Sequence, residues 1–293
     1  MMPRHMIYPV LWISAVLILI STGLLSYTRR TPYTDSPYIL FLSDRDGIGH
    51  LWRMNADGSH PRRLSDHFFP QLAQWSPDGR WILYQHGIGT LGIDVYRMDA
   101  HGRRSEQIMY STGGVILTAW SPDSQSIAYV DPPRSDGVQL HLMRSDGSES
   151  RALSPAFEAI STPLWSSDGD WLYFTAQRNQ QSDLYRVRVD GTDLQNLTAT
   201  PLMNERFPRW LPGNEWIAFF VYDGNERRSI RMRRDGSETV PLSDNLSVIT
   251  TMFWSPDARW LLMVQLVGNS FDILKMPPPP GCQPDFECPH AID

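Results

Sequence analysis

The sequence has few cysteines, almost no lysine and none of the short motifs that mark common catalytic sites. Only two cysteines occur in 293 residues, and Lys275 is the one lysine among 26 basic residues. There is no Gly-x-Ser-x-Gly turn, phosphate-binding loop, Gly-x-Gly-x-x-Gly or His-Glu-x-x-His. A net charge of −6 argues against a nucleic-acid partner. We therefore predict no catalytic residue, no metal site, no cofactor and no enzymatic activity.

What the sequence does contain is one motif that recurs at nearly constant spacing. Trp75-Ser-Pro-Asp-Gly79 returns with its tryptophan at Trp120, Trp165, Trp210 and Trp254, at intervals of 45, 45, 45 and 44 residues. Proline fixes φ, aspartate bonds its own backbone and glycine accepts a positive φ, so each copy predicts a tight turn. Such spacing indicates one supersecondary unit per repeat.

Each repeat is predicted to contain four short strands. An apolar run such as Trp81-Ile-Leu-Tyr84 follows the tight turn, and an alternating segment such as Val95-Tyr-Arg-Met98 follows a polar loop. An Asp-Gly turn leads to the next strand, and a variable loop leads to the strand that ends on the tryptophan. Four such strands in about 45 residues describe one blade of a β-propeller. The aspartates of the tight turn are predicted to be structural: Asp78, Asp123, Asp168 and Asp257.

The count of segments predicts six blades over residues 38–276. The alternating segment occurs six times, whereas the strand that ends on the tryptophan occurs five times. The first blade therefore lacks that strand, and the sixth lacks its last one. The predicted fold class is all-β, a six-bladed β-propeller of four-stranded antiparallel blades, preceded by one N-terminal transmembrane helix.

The repeat resembles the WD-like repeat of TolB-type β-propellers. The resemblance rests on the Trp-Ser-Pro-Asp-Gly turn, the apolar run, the Tyr-Arg-Met type strand, the Asp-Gly turn and a Leu-Thr or Leu-Ser ending. Similar repeats occur in the propeller domains of the prolyl oligopeptidase and dipeptidyl peptidase IV families, whose hydrolase domain has no counterpart in this sequence. TolB-type propellers are implicated in protein–protein interaction in the cell envelope, so the resemblance implies a binding function.

The N-terminal segment reads as a membrane anchor. Residues 1–6 are predicted to be cytoplasmic, residues 7–27 to span the membrane and residues 28–37 to form a tether. The 19 residues from Ile7 to Leu25 carry no charge, and as a helix they would extend about 28 Å, close to the hydrocarbon thickness of a bilayer. A signal peptide cleaved near Gly23–Ser26 is the alternative.

The C-terminal tail, residues 277–293, begins with four prolines and contains both cysteines. Cys282 and Cys288 make a poor zinc site by themselves, and beside an export-like segment they favour a disulfide over two free thiols. The propeller is therefore predicted to lie on the extracytoplasmic side of the cell membrane, attached by a single span.

Function is expected where the repeats differ. Hairpin connectivity places the tight turns and Asp-Gly turns at one rim and the variable loops at the other, and loops on a rigid scaffold commonly carry recognition. Aromatic residues in these loops are candidate anchors, although they could instead pack on one another. The predicted partner-binding residues are His67, Phe68, Phe69, Phe157, Glu158, Asn204, Glu205, Arg206 and Phe207.

The sequence therefore predicts a non-enzymatic scaffold that binds a protein or peptide of the cell envelope through this rim. One alternative is a propeller enzyme, similar to a lyase or lactonase, that acts on a small molecule or glycan at the central channel. Another is an accessory subunit of a larger membrane complex.

Overall fold

The structure is a computed structural model in which all regular elements of the described residues are β-strands. These strands form six antiparallel sheets, sheet 1 to sheet 6 in chain order. The prediction of an all-β chain of antiparallel sheets is therefore confirmed. The described residues are 38–55, 57–67, 70–87, 92–112, 116–130, 135–200, 203–211, 213–223, 226–243, 249–254, 261–267 and 270–276.

The first three sheets contain eleven strands. Sheet 1 consists of β1 (Tyr38–Ser43), β2 (His50–Asn55) and β3 (Arg62–Arg63). Sheet 2 consists of β4 (Pro70–Trp75), β5 (Trp81–Gly87), β6 (Ile93–Asp99) and β7 (Ser105–Ser111). Sheet 3 consists of β8 (Thr118–Trp120), β9 (Ser126–Val130), β10 (Leu140–Arg144) and β11 (Arg151–Ala152).

The remaining three sheets contain twelve strands, with β12 and β13 both pairing with β14. Sheet 4 consists of β12 (Ala159–Ile160), β13 (Leu164–Trp165), β14 (Trp171–Arg178), β15 (Gln181–Arg188) and β16 (Gln195–Asn196). Sheet 5 consists of β17 (Asn204–Trp210), β18 (Trp216–Asp223), β19 (Glu226–Arg233) and β20 (Thr239–Ser243). Sheet 6 consists of β21 (Ile249–Trp254), β22 (Leu261–Val267) and β23 (Ser270–Met276).

The tight turns close as the repeated motif predicts. In sheet 2 the Ser76 hydroxyl donates to Asp78 Oδ1 at 2.5 Å, and Asp78 Oδ1 also accepts the Arg80 amide at 3.0 Å. The same pair of contacts surrounds Asp123 and Asp168. These three aspartates are therefore structural, whereas Asp257 lies outside the described residues.

Neighbouring sheets pack face to face, which explains why the central strands are almost continuously apolar. Ile82 of β5 lies in a cluster with residues of sheet 1, while the adjacent Leu83 lies in a cluster with residues of sheet 3. Two further apolar clusters join sheet 3 to sheet 4 and sheet 4 to sheet 5. Full burial of one such side chain contributes about 1.5–3 kcal/mol, so the contacts between sheets supply most of the core.

Arginine side chains add polar links between neighbouring sheets. Three arginines that occupy the same register donate to the next sheet: Arg53 to Ala100 O at 2.8 Å, Arg97 to the Ser145 hydroxyl at 3.2 Å and Arg186 to Arg234 O at 3.1 Å. Leu142 stands at this register in sheet 3, and there Arg151 donates to Val189 O of sheet 4 instead.

Candidate functional site

The antiparallel order of the strands gives each sheet two ends with different loops. The turn rim contains the tight turns and the Asp-Gly turns. The variable-loop rim contains the loops between the two central strands of a sheet and the connections from one sheet to the next. Among the predicted partner-binding residues that the structure describes, His67, Phe157 and Glu158 lie in connections at the variable-loop rim, and Asn204 to Phe207 lie in the half of β17 nearer that rim. The tight-turn aspartates Asp78, Asp123 and Asp168 lie at the turn rim.

A cavity of about 370 Å³ lies at the turn rim, between sheets 4 and 5. Both signs of charge line it, and its arginines have partners within the protein. Arg234 pairs with Asp168 at 3.0 Å and Arg233 with Glu238 at 3.2 Å. Because these charges already balance one another, the cavity offers no concentrated charge to a ligand.

Phe207 is the most exposed of the large apolar side chains in the described residues, with 56% of its surface accessible. It lies in β17 beside Arg206, which is also exposed and whose guanidinium lies 5.7 Å from the Tyr222 ring. The Phe207 ring meets Phe220 edge to face, with centroids 6.5 Å apart. An apolar ring and a cation are therefore exposed at neighbouring positions inside β17, on the side of the strand that leads to the variable-loop rim.

The backbone at Phe207 explains why its ring is presented to solvent. The pairing of β17 with β18 shifts register between Arg206 and Arg209, and Phe207 has a φ of 57°. A bulky residue with a positive φ is uncommon and costs about 1–3 kcal/mol. Leu72 of β4 has a φ of 47° at the same distance from its tryptophan, and β4 also shifts register there, so sheets 2 and 5 share this bulge with different side chains.

Asn204 and Glu205, next to this pair, are held inside the protein. Asn204 Oδ1 accepts the Ser182 amide at 3.0 Å, which joins β17 to β15. Glu205 is only 1% exposed, and its Oε1 accepts the Thr200 hydroxyl at 2.5 Å. Burial raises the pKa of Glu205 to about 6, although the Thr200 hydrogen bond acts against this and Asp183 adds to it.

Phe157 and Glu158 also make contacts within the protein. Phe157 is 3% exposed and packs edge to face on Phe174 and Tyr185 of sheet 4. The Glu158 carboxylate accepts the amides of Asn179 and Gln180 at 2.7 and 3.1 Å, which caps the turn between β14 and β15. Phe157 could serve as a surface anchor only if it left this core.

His67 inserts its ring between sheets 1 and 2. Its Nδ1 lies 2.8 Å from the Tyr84 hydroxyl. Its ring stacks on His86 with centroids 4.8 Å apart and meets the Tyr96 ring at a tilt of 37° with centroids 4.4 Å apart. His86 pairs across the strands with Asp94, which is buried and accepts a hydrogen bond from the Gln107 amide at 2.7 Å. We call this group the histidine cleft: His67, Tyr84, His86, Asp94 and Tyr96.

Burial perturbs the titration of this cleft. It raises the pKa of Tyr84 to about 12, although the hydrogen bond with Ser105 opposes the shift. Burial also lowers the pKa of His86, and His67 lowers it further while Asp94 acts in the opposite direction. The Nδ1 atom of His86 is buried and has no hydrogen-bond partner. The cleft therefore holds the His86 imidazole in a partly desolvated position that disfavours its charged form.

Sequence reasoning selected His67 but missed His86 and Asp94, because no ligand spacing connects them. Their cross-strand pairing brings them together, and this pairing could have been inferred from the hairpin that joins β5 to β6. In the described residues, no group of three or more histidine, cysteine, aspartate or glutamate side chains is arranged to hold a metal ion.

Several predicted features fall outside the described residues: Phe68, Phe69, Cys282, Cys288 and the segment 7–27. Within the described residues there is no helix with the length and hydropathy needed to cross a membrane.

A family model identifies the repeats. The model of the TolB beta propeller domain matches residues 91–279, which is more than half of the 293 residues. The chain belongs to the TolB beta propeller domain family. The resemblance drawn from the repeat motif is thus confirmed.

One curated relative of this TolB-family chain is an uncharacterized protein of Agrobacterium fabrum (strain C58 / ATCC 33970). It is 28% identical over 229 residues, which cover 74% of this chain and 62% of the relative. The chain therefore matches less than two thirds of that relative's length.

Solved structures share the fold at low sequence identity. TolB from Acinetobacter baumannii gives a TM-score of 0.60 at 16% identity and covers 83% of this chain and 61% of its own. An oligogalacturonate lyase from Vibrio parahaemolyticus gives a TM-score of 0.64 at 14% identity, and the match covers 82% of this chain and 72% of the lyase chain. A prolyl endopeptidase gives a TM-score of 0.66 at 12% identity, and the match covers 84% of this chain and 40% of the endopeptidase chain. At these identities the likeness shows the fold alone, because one fold hosts several activities.

Proposed function

We propose that this TolB-family protein is a non-enzymatic scaffold that binds a protein or peptide of the cell envelope through its variable-loop rim. In this proposal the six sheets close into a six-bladed propeller, which residues 7–27 attach to the extracytoplasmic face of the cell membrane. The observation that carries the proposal is the exposed ring of Phe207 beside the exposed Arg206.

An exposed aromatic side chain contributes little to the packing of the protein itself. The positive φ of Phe207 would be less strained with asparagine or glycine, and the exposed ring gains little from its contact with Phe220. Aromatic and arginine side chains are the residue types that most often dominate binding energy at interfaces. The pair therefore fits an anchor that is completed by a partner.

The membrane attachment and location rest on the sequence. The 19 uncharged residues from Ile7 to Leu25 have the length of a membrane span, and Cys282 and Cys288 suit a disulfide in an oxidising compartment. A TolB protein among the structures of similar fold supports an envelope function. Alkylation of cysteines in intact cells and spheroplasts, before and after reduction, tests both the location and the disulfide.

The rim proposal is tested by site-specific photo-crosslinking in detergent-solubilised membranes, with and without Phe207→Ala. The crosslinker replaces Asp223, which is exposed at the end of β18, so that Arg206 stays in place. We expect a discrete adduct with the full-length protein and a loss of about tenfold or more with Phe207→Ala, because truncation of an anchor residue costs about 2 kcal/mol or more of binding energy.

The matched control is Leu194→Ala, which removes an apolar side chain that is 36% exposed near the turn rim. This variant should keep the adduct. Equal adduct from Phe207→Ala and the unchanged protein would contradict a rim anchor, and an adduct that depends on Leu194 would move the interface to the turn rim.

The second candidate function is a propeller enzyme, and the histidine cleft is the observation that favours it. Two imidazoles, a carboxylate and a tyrosine of perturbed pKa lie together near the variable-loop rim. One structure of similar fold is a lyase that acts on oligogalacturonate. Release of unsaturated product from oligogalacturonate by the purified protein, abolished in His86→Gln, would establish this alternative.

The third candidate is an accessory subunit whose membrane segment docks into a larger complex. Exchange of residues 7–27 for an unrelated membrane span separates the two binding modes. A complex that survives the exchange but fails with Phe207→Ala depends on the rim, whereas a complex lost on exchange depends on the membrane segment.

A further inference from the structure

The histidine cleft has an apolar counterpart in sheet 4, which we call the phenylalanine cleft. Cross-strand pairing defines the correspondence. The pair His86–Asp94 of sheet 2 matches the pair Ala176–Asp183 of sheet 4. The pair Tyr84–Tyr96 likewise matches the pair Phe174–Tyr185. His67 and Phe157 each precede the repeat tryptophan by eight positions. The phenylalanine cleft is Phe157, Phe174, Ala176, Asp183 and Tyr185.

The two clefts respond differently to protons. In the phenylalanine cleft, neither Phe157, whose ring corresponds to that of His67, nor Ala176, which pairs with Asp183, can titrate. In the histidine cleft both are imidazoles, with ring centroids 4.8 Å apart and planes inclined by only 26°. Burial lowers the pKa of His86 and His67 lowers it further, so a proton on His86 is disfavoured while the His67 ring stacks on it.

Other charged groups around the two rings determine how well a charge on His86 is stabilised. From sheet 2, Asp94 faces His86 but is already engaged by Gln107, and the tyrosines Tyr84 and Tyr96 are neutral. From sheet 1, His50 Nδ1 donates to His67 O at 3.2 Å, and its Nε2 lies 3.8 Å from Asp46. Asp66 precedes His67 and pairs with Arg63 at 3.1 Å.

We propose that the histidine cleft is an acid-sensitive latch, in which protonation of His86 beside the stacked ring of His67 expels that ring and loosens the variable-loop end of sheet 1 from sheet 2. The latch does not depend on the proposed partner.

The remaining contacts between sheets 1 and 2 confine the opening to the rim. Arg53 donates to Ala100 O at the turn end, and an apolar cluster that includes Leu51 and Ile82 joins the sheets below the cleft. The sign of the effect follows from His86, whose pKa is lowered in the fold by burial and by His67. Such a group stabilises the closed state fully above its ordinary pKa and progressively less as the pH falls below that value.

Hydrogen exchange followed by mass spectrometry on the full-length protein in detergent tests the latch. After correction for intrinsic exchange rates, we expect peptides covering 43–51 and 64–67 to exchange faster at about pH 5.5 than at about pH 7.5. Each proton taken up on opening contributes up to about tenfold per pH unit. Peptides of sheet 4, covering 171–188, should show no such change.

The decisive variant carries His67→Phe and His86→Ala, the residues at the same positions of the phenylalanine cleft. It should lose the acid response, whereas His60→Ala, which removes an exposed histidine of sheet 1, should retain it. If the double variant does not fold, His86→Ala alone must still lower the pH slope by about one proton. A response that persists unchanged in these variants, or a sheet 1 that is insensitive to acid in the unmodified protein, would overturn the proposal.

Discussion

The histidine cleft and the phenylalanine cleft occupy the same place in two repeats and fill it with opposite chemistry. In sheet 4, Phe157 contributes apolar area and makes two edge-to-face ring contacts. In sheet 2, His67 makes a hydrogen bond to Tyr84, stacks on His86 and packs at a tilt on Tyr96. The repeat therefore needs a flat ring at this point, and a phenyl ring or an imidazole can satisfy that need.

The difference between the two clefts shows which positions of a repeated fold can take on a function of their own. Contacts that recur, such as the serine–aspartate bond of the tight turn, maintain the blade-like sheet and carry little information about function. A polar or titratable group at a position that is apolar in another sheet has a cost in stability. Such a position is therefore the place to look for a function that the fold itself does not require.

The largest effect is expected from removing the ring of each cleft. Phe157→Ala should lower the free energy of unfolding by about 3–4 kcal/mol, because it leaves a cavity between sheets 3 and 4. His67→Ala should cost only about 1–2 kcal/mol at neutral pH, mainly one hydrogen bond and its stacking. Urea unfolding monitored by tryptophan fluorescence measures both. Phe207→Ala is the control for an exposed ring and should change stability by less than about 0.5 kcal/mol. Equal losses at positions 67 and 157 would show that the clefts are energetically alike.

Glu205 extends the comparison to the gap between sheets 4 and 5. It precedes Trp210 by five positions, as Ile160 precedes Trp165, so a carboxyl replaces an apolar side chain. Its pKa is raised from 4.5 to about 6, so its contribution to stability is fully present below about pH 4.5 and is lost as the pH rises through about 6. Glu205→Gln should therefore stabilise the protein at pH 8 by about 1–2 kcal/mol.

Unfolding of Glu205→Gln in urea at several pH values checks this sign. Glu215→Gln, which removes an exposed carboxylate at the turn rim, is the matched control and should leave the pH dependence unchanged. A Glu205→Gln protein that is less stable than the unmodified protein at pH 8 would mean that the carboxylate has a cationic partner there.

Much of the fold could be predicted from the sequence because the repeat signals are local. The turn of Trp75-Ser-Pro-Asp-Gly79 and the apolar run after it fix strand positions by short-range rules. The candidate site was harder, since Phe157 and Phe207 look alike in sequence but one is buried and the other exposed. Their difference arises from a bulge and from packing between sheets, and His86 meets Asp94 only through strand register.

The smallest predicted effect concerns two arginine links at the turn rim, one between sheets 1 and 2 and one between sheets 3 and 4. Arg53 links sheet 1 to sheet 2 through Ala100 O and also lies 4.2 Å above the Tyr38 ring. Arg151 links sheet 3 to sheet 4 through Val189 O. Arg151→Gln should cost about 0.5–1 kcal/mol for one hydrogen bond, and Arg53→Gln about 0.5 kcal/mol more because it also loses the cation–π contact.

Urea unfolding of the two variants in parallel measures this difference, and hydrogen exchange sharpens it. If the acid latch acts at the rim while Arg53 holds the turn end, Arg53→Gln should shift the opening of sheet 1 to higher pH, because less of the interface remains to oppose it. Arg151→Gln should not alter exchange in sheet 1 at any pH. An acid response unaffected by Arg53→Gln would mean that the two ends of the interface between sheets 1 and 2 open independently.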